Sequence, residues 1–218
     1  MIAASFVRAG AVLALAAAAA GCAPLIVGGA IVGGGLVATD RRTAGIQLED
    51  ESIELRAGTR IKELATLGQI SVTSYNRLVL LTGEVPGAAE RAQVEAAAAK
   101  VENVRGVVNE LVIAPNSSLS SRTADNALAS RVKLTLVDAK DVQSNAYKVV
   151  VDRRVVYLMG RVTEREANRG AELASQVSGV EKVVKVFEIL SEKDLAGGST
   201  ALNPAPISTA APAASAPK

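Results

Sequence analysis

The sequence predicts an α+β fold made of two tandem copies of one module, each ordered helix, strand, strand, helix, strand, with a three-stranded mixed sheet covered by two helices. Three observations predict it. Val155 to Leu190 repeats the grammar of Leu78 to Ile113: an apolar run, a glycine, a polar turn, an Ala-rich segment, a second glycine and an alternating apolar run. Within the Ala-rich segments, Val94, Ala97, Ala98 and Val101, and then Gly170, Leu173, Ala174 and Val177, recur at i, i+3, i+4 and i+7, the stripe of a half-buried helix. A helical crossover between two strands makes them parallel, whereas a short polar turn makes a hairpin, so each sheet is mixed.

The chain opens with a lone Arg8, the apolar run from Ala11 to Ala20, and small residues up to Gly21, the pattern of a signal peptide over residues 1–21. Cys22 follows immediately and is the only cysteine. That placement predicts a lipidated Cys22, with Ala19 where a lipobox usually has Leu. Ala23 rather than aspartate after the cysteine favours the outer membrane. Residues 22–46 form a Gly-rich tether. Its stretch Leu25 to Ala38 is too short for the roughly 20 residues of a spanning helix, and reads either as a membrane-hugging tether or as a plain apolar linker. Asp40-Arg41-Arg42 is expected to return the chain to water.

The first module covers residues 47–115 and the second 121–193, each opening with a helix. In the first, Glu49, Asp50 and Glu51 are read as acids of a helix N-terminus, and Ile53, Ala57 and Ile61 as the core stripe of a helix from Glu49 to Ala65. In the second, Leu128, Val132 and Leu136 form the same stripe from Asp125 to Val137. Hairpins follow, with strands at 70–74 and 78–85, then 147–151 and 155–162, turned by Tyr75-Asn76-Arg77 and Asp152-Arg153-Arg154. Closing strands fall at 106–113 and 182–190. Asn116 to Arg122 is a Ser-rich join, and the Ala/Pro-rich tail, 196–218, lacks the apolar content to pack. Each module of about 70 residues buries only about 60% of its chain surface, so the two are expected to lean on each other.

Composition narrows the function. With no His and one Cys among 218 residues, Cys/His zinc sites, His-dependent triads and intramolecular disulfides are excluded. A net charge of +2 argues against a nucleic-acid partner. The carboxylates Glu84, Glu90, Glu164 and Glu166 are poor acid/base candidates. Thr163 and Glu166 fit a capping box instead. Catalytic, metal and cofactor sites are all expected to be absent.

Together, the Leu81-Thr82-Gly83 and Leu158-Met159-Gly160 turns, Gly106-Val107 and Gly179-Val180 ahead of the last strands, and the order of signal, tether and two modules resemble the BON-domain outer-membrane lipoproteins over about residues 22–192. The resemblance implies a lipid-anchored periplasmic protein that binds anionic phospholipid through its second domain and supports outer-membrane integrity, partly at the division site. It also implies a Trp near the position of Ala127, and the lack of one here implies weaker membrane contact. The residues add their own signal. The first module has seven Lys/Arg against ten Asp/Glu and the second thirteen against ten, so only the second should be drawn to anionic headgroups.

At 100° per residue, Leu134 and Val137 turn away from the core stripe, beside Ser130, Arg131 and Lys133, whereas the matching face of the first module carries Thr59 and Lys62 and is expected to be polar. Ser130, Arg131, Lys133, Leu134 and Val137 are therefore the candidate phospholipid contact. Leu134 and Val137 are equally compatible with ordinary exposure or with packing on the other module. The rival reading is a periplasmic adaptor or chaperone-like stress protein that holds envelope proteins on exposed strands or between the modules. Oligomeric state is open. Replacement Cys22→Ser is expected to release the protein to the soluble periplasmic fraction or leave it unprocessed, and continued acyl labelling of that variant would refute lipidation.

Overall fold

The structure is a computed structural model and describes residues 40–64, 68–196 and 207–208. Its elements are α1 (Ala44–Leu64), β1 (Gln69–Tyr75), β2 (Leu78–Val85), α2 (Ala88–Ala99), β3 (Gly106–Asn109), β4 (Val112–Ile113), α3 (Leu119–Asp138), β5 (Tyr147–Asp152), β6 (Val155–Val162), α4 (Glu164–Ser175), β7 (Lys182–Ile189), α5 (Glu192–Ala196) and β8 (Ile207–Ser208). In each module the hairpin strands pair antiparallel and the crossover strand pairs parallel to the second, in the orders β1-β2-β3 and β5-β6-β7. The fold is α+β with two mixed sheets, as the repeat implied.

Several boundaries differ from the sequence reading. Helix α1 starts at Ala44 rather than Glu49, and α3 starts at Leu119 because Ser118, inside the Ser-rich join, caps it by accepting the Ser121 N–H at 3.1 Å. The first closing strand is broken into β3 and β4. Asn109 turns its amide oxygen onto the Leu111 N–H, while Arg91 takes the Asn109 carbonyl at 2.9 Å, so the ladder is interrupted there. The second closing strand is unbroken, and β8, within the tail, pairs antiparallel with it at Phe187 and Glu188. The remainder of the tail lies outside the described residues. The two Gly-Val pairs are not equivalent: Gly179 (φ 101°) corresponds to Asn103 (φ 67°), each ahead of the crossover strand, whereas Gly106 opens β3 itself. Asparagine is the residue that best replaces glycine in left-handed backbone.

Three clusters make the core. Ile53, Ala57 and Ile61 of α1 and Val94 and Ala98 of α2 cover Val79, Leu81 and Val85 of β2. Leu128, Val132 and Leu136 of α3 and Ala167 and Ala174 of α4 cover Val156, Leu158 and Phe187 in the same way. The third joins the modules: Tyr75, Leu80 and Val108 pack on Tyr157, Met159 and Val186. The helix-free faces of the two sheets are therefore stacked, giving layers of helices, sheet, sheet, helices. Strands β2 and β6 are buried on both faces, which is why LVLL and VVYLM are continuous apolar runs instead of alternating ones. The LxG and LMG glycines sit where these strands cross the hairpin partner. A Cβ on Gly83 (φ 115°) would collide with the Gln69 carbonyl oxygen, and one on Gly160 with that of Ala146.

Asp50 is not an N-terminal acid. It lies mid-helix, 2% exposed, and accepts the backbone N–H groups of Asn76 and Arg77 at 2.8 and 2.7 Å as well as the Ser74 hydroxyl at 2.7 Å. Asp125 does the same for Arg153 and Arg154, both at 3.0 Å. All four turn residues have positive φ, as a type I′ hairpin turn requires. Arginine pays a steric cost there, and the buried carboxylates offset it by satisfying the turn's donors.

Asp40-Arg41-Arg42 does not return the chain to water. Arg41 forms a two-pronged ion pair with Glu166 of the second module at 2.8 Å and also donates to the Arg161 carbonyl at 2.8 Å. Arg42 pairs with Asp50 of the first module at 2.9 Å and lies 4.1 Å over the Tyr75 ring. These three residues strap the modules together, because two adjacent guanidiniums each find a buried carboxylate on a different module. The Arg41 guanidinium holds the Glu166 carboxyl at about 2, below its ordinary 4.5. The stabilisation from that pair is complete above pH 4.5 and is lost as pH falls toward 2. Urea unfolding between those pH values is expected to show a shallower pH slope in Arg41→Ala than in the parent, and equal slopes would refute the strap.

Candidate functional site

Helix α3 sets the geometry of the candidate lipid-binding face. Asp125, Leu128, Val132 and Leu136 point inward. Leu134 and Val137 are 61% and 56% exposed on the opposite side, so the reading in which they pack on the first module does not hold. Ser130 lies between them in angle, but its hydroxyl donates to the Asn126 carbonyl at 3.0 Å and is turned along the helix. Lys133 and Arg131 are exposed on opposite flanks of this stripe. Arg131 reaches toward Gly179, whose carbonyl accepts from Arg154 Nε at 3.0 Å, so two guanidiniums meet at the loop ahead of β7. Ala127 is exposed on the same side.

The sequence reading missed Leu119, 72% exposed and five turns before Val137 on the same face. It was hidden because the helix was expected to begin at Asp125; Ser118 followed three residues on by Ser121, ahead of an apolar period, was the signal available. The stripe therefore runs the length of α3, about 27 Å at 1.5 Å per residue.

The expectation of a polar matching face on the first module is overturned. Leu48 and Leu55, 68% and 72% exposed, share the outer side of α1 with Thr59 and Lys62. Leu55 stands one turn before Thr59, at the position that matches Ser130 of the second module when Ile53 is matched with Leu128. What separates the helices is charge: α1 carries five acids against three bases and α3 two against three, with one acid of each, Asp50 and Asp125, committed to its turn.

Of the four carboxylates weighed, Glu166 closes the capping box with Thr163 and is ion-paired to Arg41. Glu84 is 1% exposed, Glu90 lies in the first turn of α2 and Glu164 in that of α4. Among the described residues there is no cluster able to hold a metal ion and no helix long and apolar enough to cross a membrane. Cys22 and most of the tether lie outside the described residues.

Comparison with known proteins follows this geometry. The BON domain model matches residues 50–115 and 124–191. The chain is 37% identical over 173 residues to the outer membrane lipoprotein DolP of Haemophilus influenzae, covering 78% of this chain and 89% of that protein. It is 31% identical over 151 residues to a 21 kDa hemolysin of Actinobacillus pleuropneumoniae, covering 68% of this chain and 78% of that one. Among solved structures, CdsD of the Chlamydia trachomatis type III secretion system aligns with 69% of this chain and 96% of its own at 10% identity and a TM-score of 0.28, and no argument rests on it.

The two sides of α3 are expected to respond differently to truncation. By chemical denaturation, Leu136→Ala should cost about 2–5 kcal/mol, since it empties a buried site, while Leu134→Ala and Val137→Ala should each change stability by less than about 0.5 kcal/mol.

Proposed function

The chain belongs to the BON-domain family and is a DolP-like, lipid-anchored outer-membrane lipoprotein; from that premise we propose that it faces the periplasm, is held by acyl chains on Cys22, and binds anionic phospholipid through the outer face of α3. The observation that carries the reading is the pairing of exposed Leu134 and Val137 with flanking Lys133 and Arg131 on the module that has thirteen bases against ten acids. Leu119 extends the contact. Acyl chains contribute about 0.8 kcal/mol per buried methylene and supply the anchor. Two aliphatic side chains entering the headgroup region add on the order of 2 to 4 kcal/mol before losses, and each cation near an anionic surface about 1 more. The protein on this reading is not an enzyme. Asp50 and Asp125 are held by the hairpin turns and Glu166 by the cap and the strap, and the protein's role is to support outer-membrane integrity by holding a folded module against the lipid.

Charge explains why the first module, which also exposes leucines, is not the lipid contact. Leu48 and Leu55 share α1 with its unburied acids Glu49, Glu51, Glu54 and Glu63, which an anionic surface repels.

The test uses phosphatidylglycerol and phosphatidylcholine vesicles with a soluble version beginning at Asp40, since cutting after residue 42 would remove the strap. The parent should float with phosphatidylglycerol only. Leu134→Glu with Val137→Glu should abolish flotation at an unchanged thermal midpoint, and Leu48→Glu with Leu55→Glu should leave it intact. A folded second-module variant that still floats would refute the site.

A further inference from the structure

A second surface adjoins the N-terminal half of α3 and meets the lipid face at Leu119. A groove of about 530 Å³ opens between the modules, walled by Ser71 and Thr73 of β1, by α3, and by β5. The two strands line it differently. From β1 only alternate residues contribute, so β1 shows the groove one face. From β5 the consecutive residues 148–152 all contribute. Successive side chains of a strand point to opposite faces, so a surface touching every one of them runs along the strand's edge. Among the described residues, strand β5 pairs with β6 alone and stands at the end of its sheet. The crossover edges are treated otherwise: β3 is broken and its Asn109 carbonyl taken by Arg91, and β7 is paired at Phe187 and Glu188.

The groove is also electrostatically incomplete. Glu84 lies on its lining at 1% exposure, and the partners of its carboxylate are distant, Arg153 at 3.5 Å and Ser117 at 3.4 Å. Asp152 lies beside it, its carboxyl pushed up by burial first and then by the charges of Glu84 and Asp125. Lys148 is committed elsewhere, to Glu54 at 2.7 Å and the Ser74 carbonyl at 3.1 Å. Arg122, on the α3 wall, has a buried Nε with no hydrogen-bond partner. An open strand edge and a weakly partnered carboxylate therefore line one space, with an unmet donor buried in its wall.

We propose that this groove is a strand-addition site for an extended segment of another protein that carries a basic side chain. The segment's backbone pairs with the β5 edge, and its lysine or arginine meets Glu84 and Asp152. Five residues of edge span about 17 Å, enough for a segment of about five residues. The groove shares Leu119 with the lipid face but neither Leu134 nor Val137, so the Leu134→Glu, Val137→Glu variant that tests the lipid reading leaves this site untouched.

The probe is a capped peptide of about seven residues, alternating threonine and valine around a central arginine, titrated into the full-length protein in detergent micelles. Binding is read by fluorescence anisotropy and by amide hydrogen exchange. Saturable binding that slows exchange across residues 148–152 is expected. Methylating alternate backbone nitrogens of the peptide should abolish it. Norleucine in place of the arginine, or Glu84→Gln in the protein, should each weaken binding about tenfold, and the two together little more than either alone. Asp152→Asn gives a second, more exposed variant with the same expected direction. The proposal is overturned if the peptide fails to bind at about 1 mM, if the methylated peptide binds as well, if protection falls on β3 or β7, or if a second copy of the chain already protects 148–152 without peptide.

Discussion

The rest of the structure depends on the burial of both faces of β2 and β6. A three-stranded sheet with two helices on one side leaves its other side apolar, and each module solves this by laying that face on its counterpart, Leu80 and Tyr75 against Tyr157 and Met159. Neither module has a water-facing sheet surface at these strands. The hairpin turns must then be tight, since a splayed loop would prevent the sheets from approaching to about 10 Å. That requirement explains residues in left-handed backbone at Asn76, Arg77, Arg153 and Arg154, and buried Asp50 and Asp125 beneath them.

The polar contacts at the margins of this sandwich are of one kind, a carboxylate on one module taking a cation or donor from elsewhere. Glu166 takes Arg41, Asp50 takes Arg42, Glu54 takes Lys148, and Glu188 takes Arg105 at 3.3 Å together with the Asn76 amide. Such pairs contribute modestly to stability once desolvation is subtracted, but they fix one angle and register between two sheets whose apolar contact alone would tolerate sliding. The segment that leads from the tether is part of this arrangement, so the point where the chain enters the folded body is also where its modules are fastened.

The two copies share a fold and differ on their outsides. Core positions are matched nearly one for one, while the outer helix faces diverge in charge and the crossover edges diverge in continuity. Function is therefore to be sought in the differences. Helix α3 carries two of them at once, with an apolar and cationic stripe on its outer side and, on its flank, a wall of the polar groove beside β5. A membrane against Leu134 and Val137 and an extended peptide beside β5 would occupy the same module and meet at Leu119.

The sequence by itself determined the repeat, the order of elements, the core stripes of all four long helices and the outward aim of Leu134 and Val137, because each of these is a local period that burial on one face imposes. It also carried the capping box of Thr163 and Glu166, which is satisfied within four residues. Asp50 and Asp125 each stand three residues before the first stripe residue of their helix, Ile53 and Leu128, yet their shared role was not legible, since a buried acid under a turn and an acid at a helix terminus look alike in one dimension. Only the tertiary structure decided what Arg41 and Arg42 do, which face of Leu80 and Tyr157 meets which, and that Leu48 and Leu55 lie open. The Arg41 to Glu166 pair spans 125 positions and the sheet-on-sheet contact joins different modules, while even Arg42, which reaches Asp50 only 8 positions on, does so through the folded turn; no period along the chain records which carboxylate a guanidinium will reach.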